Sequence, residues 1–222
     1  MTSKPTPSTS ESAKMALKIC GMKHNIAEVA SLQPDYLGFI FYKKSPRYFD
    51  SGEIPEVPEG VKKVGVFVNA TITEILEAYK KYDLDVIQLH GDETKEFILN
   101  LNMFLRLKFW DGYDVWKVFK VDDDFNFDET YDFVGKVDAF LFDTKGENHG
   151  GNGKTFNWEI LKRYTYRTPF ILSGGIGIEQ TAEIKEVLEW NLPIIGIDVN
   201  SKFETEPGRK DVSFLQDFLQ GF

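Results

Sequence analysis

Lys18-Ile19-Cys20-Gly21-Met22 closes the first apolar run of the chain, Ala16 to Ile19, with a thiol and a glycine. Seven more runs repeat the unit: Asp35 to Phe41, Val64 to Val68, Asp85 to Leu89, Val115 to Phe119, Ala139 to Phe142, Pro169 to Leu172 and Ile194 to Ile197. Each ends in something polar or glycine-rich, and mostly a helical pattern follows. Nearly continuous apolarity, in place of in–out alternation, is what strands buried on both faces need, and a parallel sheet buries both. Eight such units in roughly 200 residues fit a single-domain α/β fold, the parallel eight-stranded (β/α)₈ or TIM barrel, near its lower size limit. A doubly wound open sheet is the competitor, but it seldom uses eight parallel strands in so little chain. In a barrel all eight strand ends meet on one rim, where active sites lie.

Between the strands the helical signals differ in strength. Asn25 is a plausible N-cap for a helix burying Ile26, Val29 and Ala30. After the second strand, Gly52, Pro55, Pro58 and Gly60 leave room for a short helix at most. Thr71 and Glu74 have capping-box spacing, with Ile72, Ile75, Leu76 and Tyr79 on one face. Phe97, Ile98 and Leu101 mark the next helix, and residues 103–113 carry no clear pattern. The acidic, aromatic stretch Asp122 to Phe133 is irregular and only weakly helical. Ile184, Val187 and Leu188 face inward after strand seven. A last helix starting near Asp211 buries Phe214, Leu215, Phe218 and Leu219.

Composition narrows the function. The 222 residues include 35 acidic and 26 basic side chains, a net charge of −9. A nucleic-acid partner would need a basic footprint, and no apolar run approaches the roughly 18 residues that span a bilayer. An anionic small molecule stays compatible, because glycine-rich loops bind phosphate locally. One cysteine makes no internal disulfide and points to a reducing, cytoplasmic setting. Residues 1–14, rich in Ser, Thr and Pro, read as a disordered leader before a barrel domain over 15–222.

Four features carry candidate chemistry, each with a plainer reading. Ser173-Gly174-Gly175 and the stretch Gly196 to Ser201 end strands seven and eight. In barrels those loops are the usual phosphate cradle, although glycine pairs also make bare turns. Asp143 either caps the loop after strand six or acts as a general acid held at an apolar rim. Cys20 is either a small buried residue or, as thiolate, a base or nucleophile. Arg47 belongs to a basic loop with Lys43 and Lys44, or clamps a carboxylate bidentately. His24, His90 and His149 lack metal-ligand spacing, so no metal site is expected.

Taken together, these strand ends resemble the phosphoribosylanthranilate isomerases of tryptophan biosynthesis. The resemblance rests on Lys18-Ile19-Cys20-Gly21, Ser45-Pro46-Arg47, Gly65-Val66-Phe67-Val68-Asn69, Gln88-Leu89-His90-Gly91-Asp92, Phe142-Asp143-Thr144, Gly150 to Phe156, Ser173-Gly174-Gly175, and Asp198 through Asp211, in order from residue 16 to the C-terminus. It implies a cofactor-free, metal-free Amadori rearrangement of N-(5-phosphoribosyl)anthranilate to 1-(2-carboxyphenylamino)-1-deoxyribulose 5-phosphate. It implies Asp143 as general acid and Cys20 as general base. It places Arg47 on the anthranilate carboxylate, Gln88, His90 and Asp198 on the substrate, and Gly174, Gly175, Asn200 and Ser201 on the phosphate. The glycine-rich loop after Asp143 becomes a candidate lid. The family pattern differs at Asn152, usually threonine, at Asn200-Ser201-Lys202, and in the Pro-rich segment that replaces its second helix. The alternatives are another phosphosugar barrel, such as the histidine-pathway isomerase with aspartate at position 20 or indole-glycerol-phosphate synthase with an early catalytic lysine, and a non-catalytic phosphate-binding barrel. Homodimer and monomer both stay open.

Overall fold

Eight parallel strands close into a barrel in sequence order: β1 (Ala16–Ile19), β2 (Tyr36–Ile40), β3 (Lys62–Phe67), β4 (Val86–Leu89), β5 (Asp114–Val121), β6 (Ala139–Thr144), β7 (Phe170–Leu172) and β8 (Ile194–Val199). Closure is made by β1 against β8, with Lys18 opposite Asp198 and Ile19 opposite Val199. This computed structural model describes residues 15–50, 52–109, 112–145 and 156–221. The expected leader, residues 1–14, and the body of the expected lid, 146–155, lie outside the described residues.

The uninterrupted apolarity of the strands has a direct cause: alternate side chains serve two different cores. Cys20, Val64, Val66, Val86, Trp116, Val118, Ala139, Leu141 and Ile171 fill the barrel. Their neighbours, such as Leu37, Phe39, Phe140, Phe142 and Phe170, pack outward against the covering layer. Both sets are nearly fully buried, so the period-2 signal of a one-sided strand disappears. The outward layer is aromatic around β6, where Phe142 meets Phe127, Tyr164 and Phe170 at ring separations of 5.3, 5.4 and 4.9 Å.

The covering helices are α1 (Ile26–Ala30), α2 (Ile72–Tyr82), α3 (Lys95–Phe109), α4 (Thr181–Leu188) and α5 (Val212–Gly221). Among the described residues between β2 and β3 there is no helix, as the Pro and Gly breakers require. Turns of 3₁₀ helix, Phe127–Phe133 and Trp158–Arg163, cover the barrel after β5 and β6. The Thr71–Glu74 capping box is formed on both sides. Several sequence expectations are corrected. Residues 103–109 belong to α3; their pattern is blurred because Met103, Phe104 and Leu107 are exposed at 49, 39 and 75%. Leu188 faces out, and Phe214 and Leu219 are only partly buried. Asn25 makes no capping bond. Its side chain donates to the Lys210 carbonyl (2.9 Å) and accepts from the Lys210 N–H (3.0 Å).

That contact fixes an element the sequence pattern did not reveal: a hairpin of β9 (Glu204–Glu206) and β10 (Arg209–Lys210) on the rim after β8. The turn is Pro207-Gly208, with Gly208 at φ +87°.

Gly38 on β2 shows how tightly the interior is filled. A Cβ there would lie 2.9 Å from Cys20 Sγ, 3.1 Å from Cys20 Cα and 3.1 Å from Lys18 Nζ. Gly38→Ala is therefore expected to destabilise the barrel by about 1–3 kcal/mol, the usual cost of overpacking. Urea unfolding should show a lower midpoint at unchanged slope.

Candidate active site

A cavity opens at the C-terminal ends of the strands. Cys20, Gln88, His90, Asp143, Asp198, Gly174, Gly175, Asn200 and Ser201 all line it. Nine of the ten site residues expected from sequence are thus brought together; Arg47 is not among the lining residues. Tyr42, Ser45, Ser173 and Lys202 complete much of the polar wall.

On one wall, strands β1 and β8 build a buried charged cluster. Lys18 on β1 and Cys20, just past its end, are two residues apart, so both point into the barrel. Lys18 Nζ donates to Asp198 Oδ1 at 2.7 Å, and Ser173 Oγ donates to Asp198 Oδ2 at 3.1 Å. Burial pushes the Cys20 thiol above its ordinary value; the Lys18 ammonium pulls it down, and Asp198 pushes it up again. Burial by itself would lower Lys18, but Asp198 and then Cys20 outweigh it, so Lys18 is held above its ordinary value and stays charged.

Asp143, at the end of β6 and 5% exposed, forms the acidic wall. His90 Nε2 stands 3.4 Å from Asp143 Oδ2, and His90 Nδ1 is 3.3 Å from Gln88 Nε2. Gln88 Oε1 and His90 Nε2 are buried without a hydrogen-bond partner. Buried polar atoms are nearly always paired, so these two are receptive to a ligand donor and acceptor in the cavity.

The glycine cradle sits beside the charged cluster. Gly174 and Gly175 have φ of +91° and +68°, a left-handed backbone that suits glycine. At Gly174 a Cβ would collide with the backbone N and side chain of Thr144. Lys202, a candidate extra cation, is paired with Glu179 at 3.0 Å.

Arg47 departs from expectation. Its Nε and Nη2 grip Glu204 bidentately, with contacts of 2.9, 2.9 and 2.7 Å. The edge expected to clamp a ligand therefore holds a protein carboxylate. Glu204 also accepts from Lys210 Nζ (2.8 Å) and the Gly208 N–H (3.1 Å). Lys210 Nζ reaches on to Asn200 Oδ1 at 2.8 Å. Burial would raise Glu204, yet Arg47 and Lys210 overcome it and hold the carboxyl below its ordinary value. Lys210 is pushed down by burial, a shift that Glu204 only partly reverses. Sequence reasoning missed Lys18, Glu204 and Lys210 as site residues. Lys18 had a detectable signal, a lysine in an apolar strand two positions before Cys20. Glu204 and Lys210 fall inside the Asp198 to Asp211 stretch, but nothing local marks their pairing with Arg47, since Glu204 lies 157 residues from it.

Among the described residues no group of three or more His, Cys, Asp or Glu side chains is placed to hold a metal ion, and no helix is long and apolar enough to cross a membrane. A parallel barrel that sets a thiol, a carboxyl and two left-handed glycines around one rim cavity has the layout of the barrel isomerases acting on phosphorylated sugars. The family model described as N-(5'phosphoribosyl)anthranilate (PRA) isomerase matches residues 17–221, and the chain belongs to that family. It is 42% identical over 215 residues to N-(5'-phosphoribosyl)anthranilate isomerase of Parabacteroides distasonis, covering 93% of this chain and 92% of the relative. Monomers of the dimeric phosphoribosylanthranilate isomerase of Thermotoga maritima superpose with a TM-score of 0.71 at 27% identity, covering 93% and 97% of the two chains. A phosphoribosyl anthranilate isomerase in complex with reduced 1-(o-carboxyphenylamino)-1-deoxyribulose 5-phosphate superposes with a TM-score of 0.71 at 26% identity and the same coverage.

Proposed function

We propose that the barrel performs the family's Amadori rearrangement with Asp143 as general acid and Cys20 as general base. The observation that carries this reading is the convergence of both groups and the glycine cradle on one cavity. Asp143 gives its proton to the furanose ring oxygen; the C1–O bond breaks, and the anthranilate nitrogen lone pair forms the Schiff base. The Cys20 thiolate then removes the C2 proton. The released pair makes the C1–C2 double bond and quenches the iminium, and the enolamine tautomerises to the aminoketose. Phosphate is held at Gly174, Gly175, Asn200 and Ser201. Gln88, His90 and Asp198 face the ribose. The chemistry as written moves protons and electron pairs only and calls on no cofactor.

Arg47 takes the substrate carboxylate in a modified form of the expected clamp. A guanidinium has five N–H donors, and Glu204 engages the Nε–Nη2 edge. The Nη1–Nη2 edge remains for the ligand, with Glu204 setting its direction. Arg47→Ala is expected to raise KM by about 10- to 100-fold, the scale of one charge-assisted contact, with a smaller effect on kcat. Steady-state loss of substrate fluorescence measures both.

Rescue of a tryptophan auxotroph by the wild-type chain, and failure of rescue by Asp143→Ala, tests the function as a whole. A chain that binds the reduced product analogue yet never turns over substrate is instead a phosphate-binding barrel. The net charge of −9 supports a reading without nucleic-acid or membrane partners. A single thiol that must stay free supports a cytoplasmic site of action. A dimeric relative makes a second copy of this chain a candidate partner, and light scattering after gel filtration separates homodimer from monomer.

A further inference from the structure

We infer that Lys18 is a positioning residue for the reaction, the buried cation that lets Cys20 exist as a thiolate and that Asp198 holds against the thiol. The inference rests on the reading of Cys20 as the base.

Geometry carries it. Lys18 is 1% exposed inside a barrel filled by Val64, Val86, Trp116 and Leu141. A lysine in such a place is costly unless anions answer it. Asp198 does so: its Oδ1 takes one of the three ammonium protons at 2.7 Å. Cys20 Sγ is close by, since both Sγ and Nζ fit against Gly38, where an added Cβ would lie 2.9 and 3.1 Å from them. The Lys18 ammonium favours ionisation of the thiol across this space. With Cys20 protonated, Lys18 and Asp198 form a neutral pair. With Cys20 ionised, one ammonium serves two anions, and loss of the C2 proton to sulfur restores the first state.

The other charged groups near Cys20 leave this role to Lys18. Lys210 on β10 is bound to Glu204 at 2.8 Å and to Asn200. Asp143 and His90 line the same cavity and face each other. Asp198 on β8 opposes ionisation of the thiol, and Lys18 is the strongest influence in favour of it.

The chain has a single cysteine, so thiolate absorbance in the ultraviolet and the pH dependence of iodoacetamide capture report one group. Lys18→Met is expected to move the titration midpoint up by about one pH unit or more, a tenfold loss of thiolate at a given pH. The pH profile of kcat/KM should shift the same way. Asp198→Asn is expected to move the midpoint down, since it removes an anion and frees Lys18. An unmoved or lowered midpoint in Lys18→Met overturns the inference. If that variant does not fold, an unmoved or raised midpoint in Asp198→Asn overturns it. Cys20→Ala separates the two layers. An active Cys20→Ala enzyme removes the base reading even where the midpoint moves, while an inactive one with an unmoved midpoint removes only the role of Lys18.

Discussion

Cys20→Ala is expected to lower kcat/KM by about 10²- to 10⁴-fold, the usual worth of a positioned proton acceptor, while the reduced product analogue still binds with wild-type affinity. The reason is local. Sulfur removal takes away the thiol just past β1 that lines the cavity, on the wall where Lys18 and Asp198 meet, and leaves Asp143, the glycine cradle and Arg47 untouched. Little packing is lost, because Ala fills most of the volume of Cys and the site borders a cavity already. Burial pushes the thiol above its ordinary value of about 8.5. Wild-type kcat/KM should therefore still be climbing with pH on the alkaline side, as the thiolate fraction grows, and Cys20→Ala should lose that limb. Steady-state kinetics across pH, with analogue binding by fluorescence titration, measure both. A variant with wild-type turnover would put the base elsewhere.

Asp143→Asn should be comparably damaging, again about 10²- to 10⁴-fold in kcat/KM, and for a complementary reason. The amide keeps the shape of the carboxyl and its place opposite His90 Nε2, 3.4 Å away. It has no acidic proton for the ring oxygen, so the furanose stays closed and the step that produces the Schiff base is blocked. Analogue binding should survive, because the reduced product is already open. Asp143→Ala should match Asp143→Asn in activity. An Asn variant much more active than the Ala variant would mean that Asp143 acts by hydrogen bonding and not by proton donation.

Much of this site was readable in the linear chain because barrel strands announce themselves twice: an apolar run buried on both faces, then a polar or glycine end on the rim. Cys20, Asp143, Gln88, His90 and Ser173-Gly174-Gly175 all stand at such ends, and all reach the cavity. Helix boundaries read less well wherever exposed apolar side chains blurred the period. Leu107, at 75% exposure on the last turn of α3, is the plainest case. Asn25 illustrates a different limit. Its type and position suit an N-cap, but a backbone partner 185 residues away, Lys210, takes its amide instead.

What the sequence determined by itself was the set of strands, the rim they share and the residue types placed on it. Those are local consequences of burial on both faces of a parallel strand and of glycine's backbone freedom. What only the tertiary structure decided was who pairs with whom across the closure. The β1–β8 seam puts Lys18 against Asp198, 180 residues on. The β9–β10 hairpin puts Glu204 under the guanidinium of Arg47. Such pairings depend on register and ring closure, which leave no periodic trace in the chain, and they determine which edge of Arg47 is taken by Glu204 and which lysine neighbours the thiol.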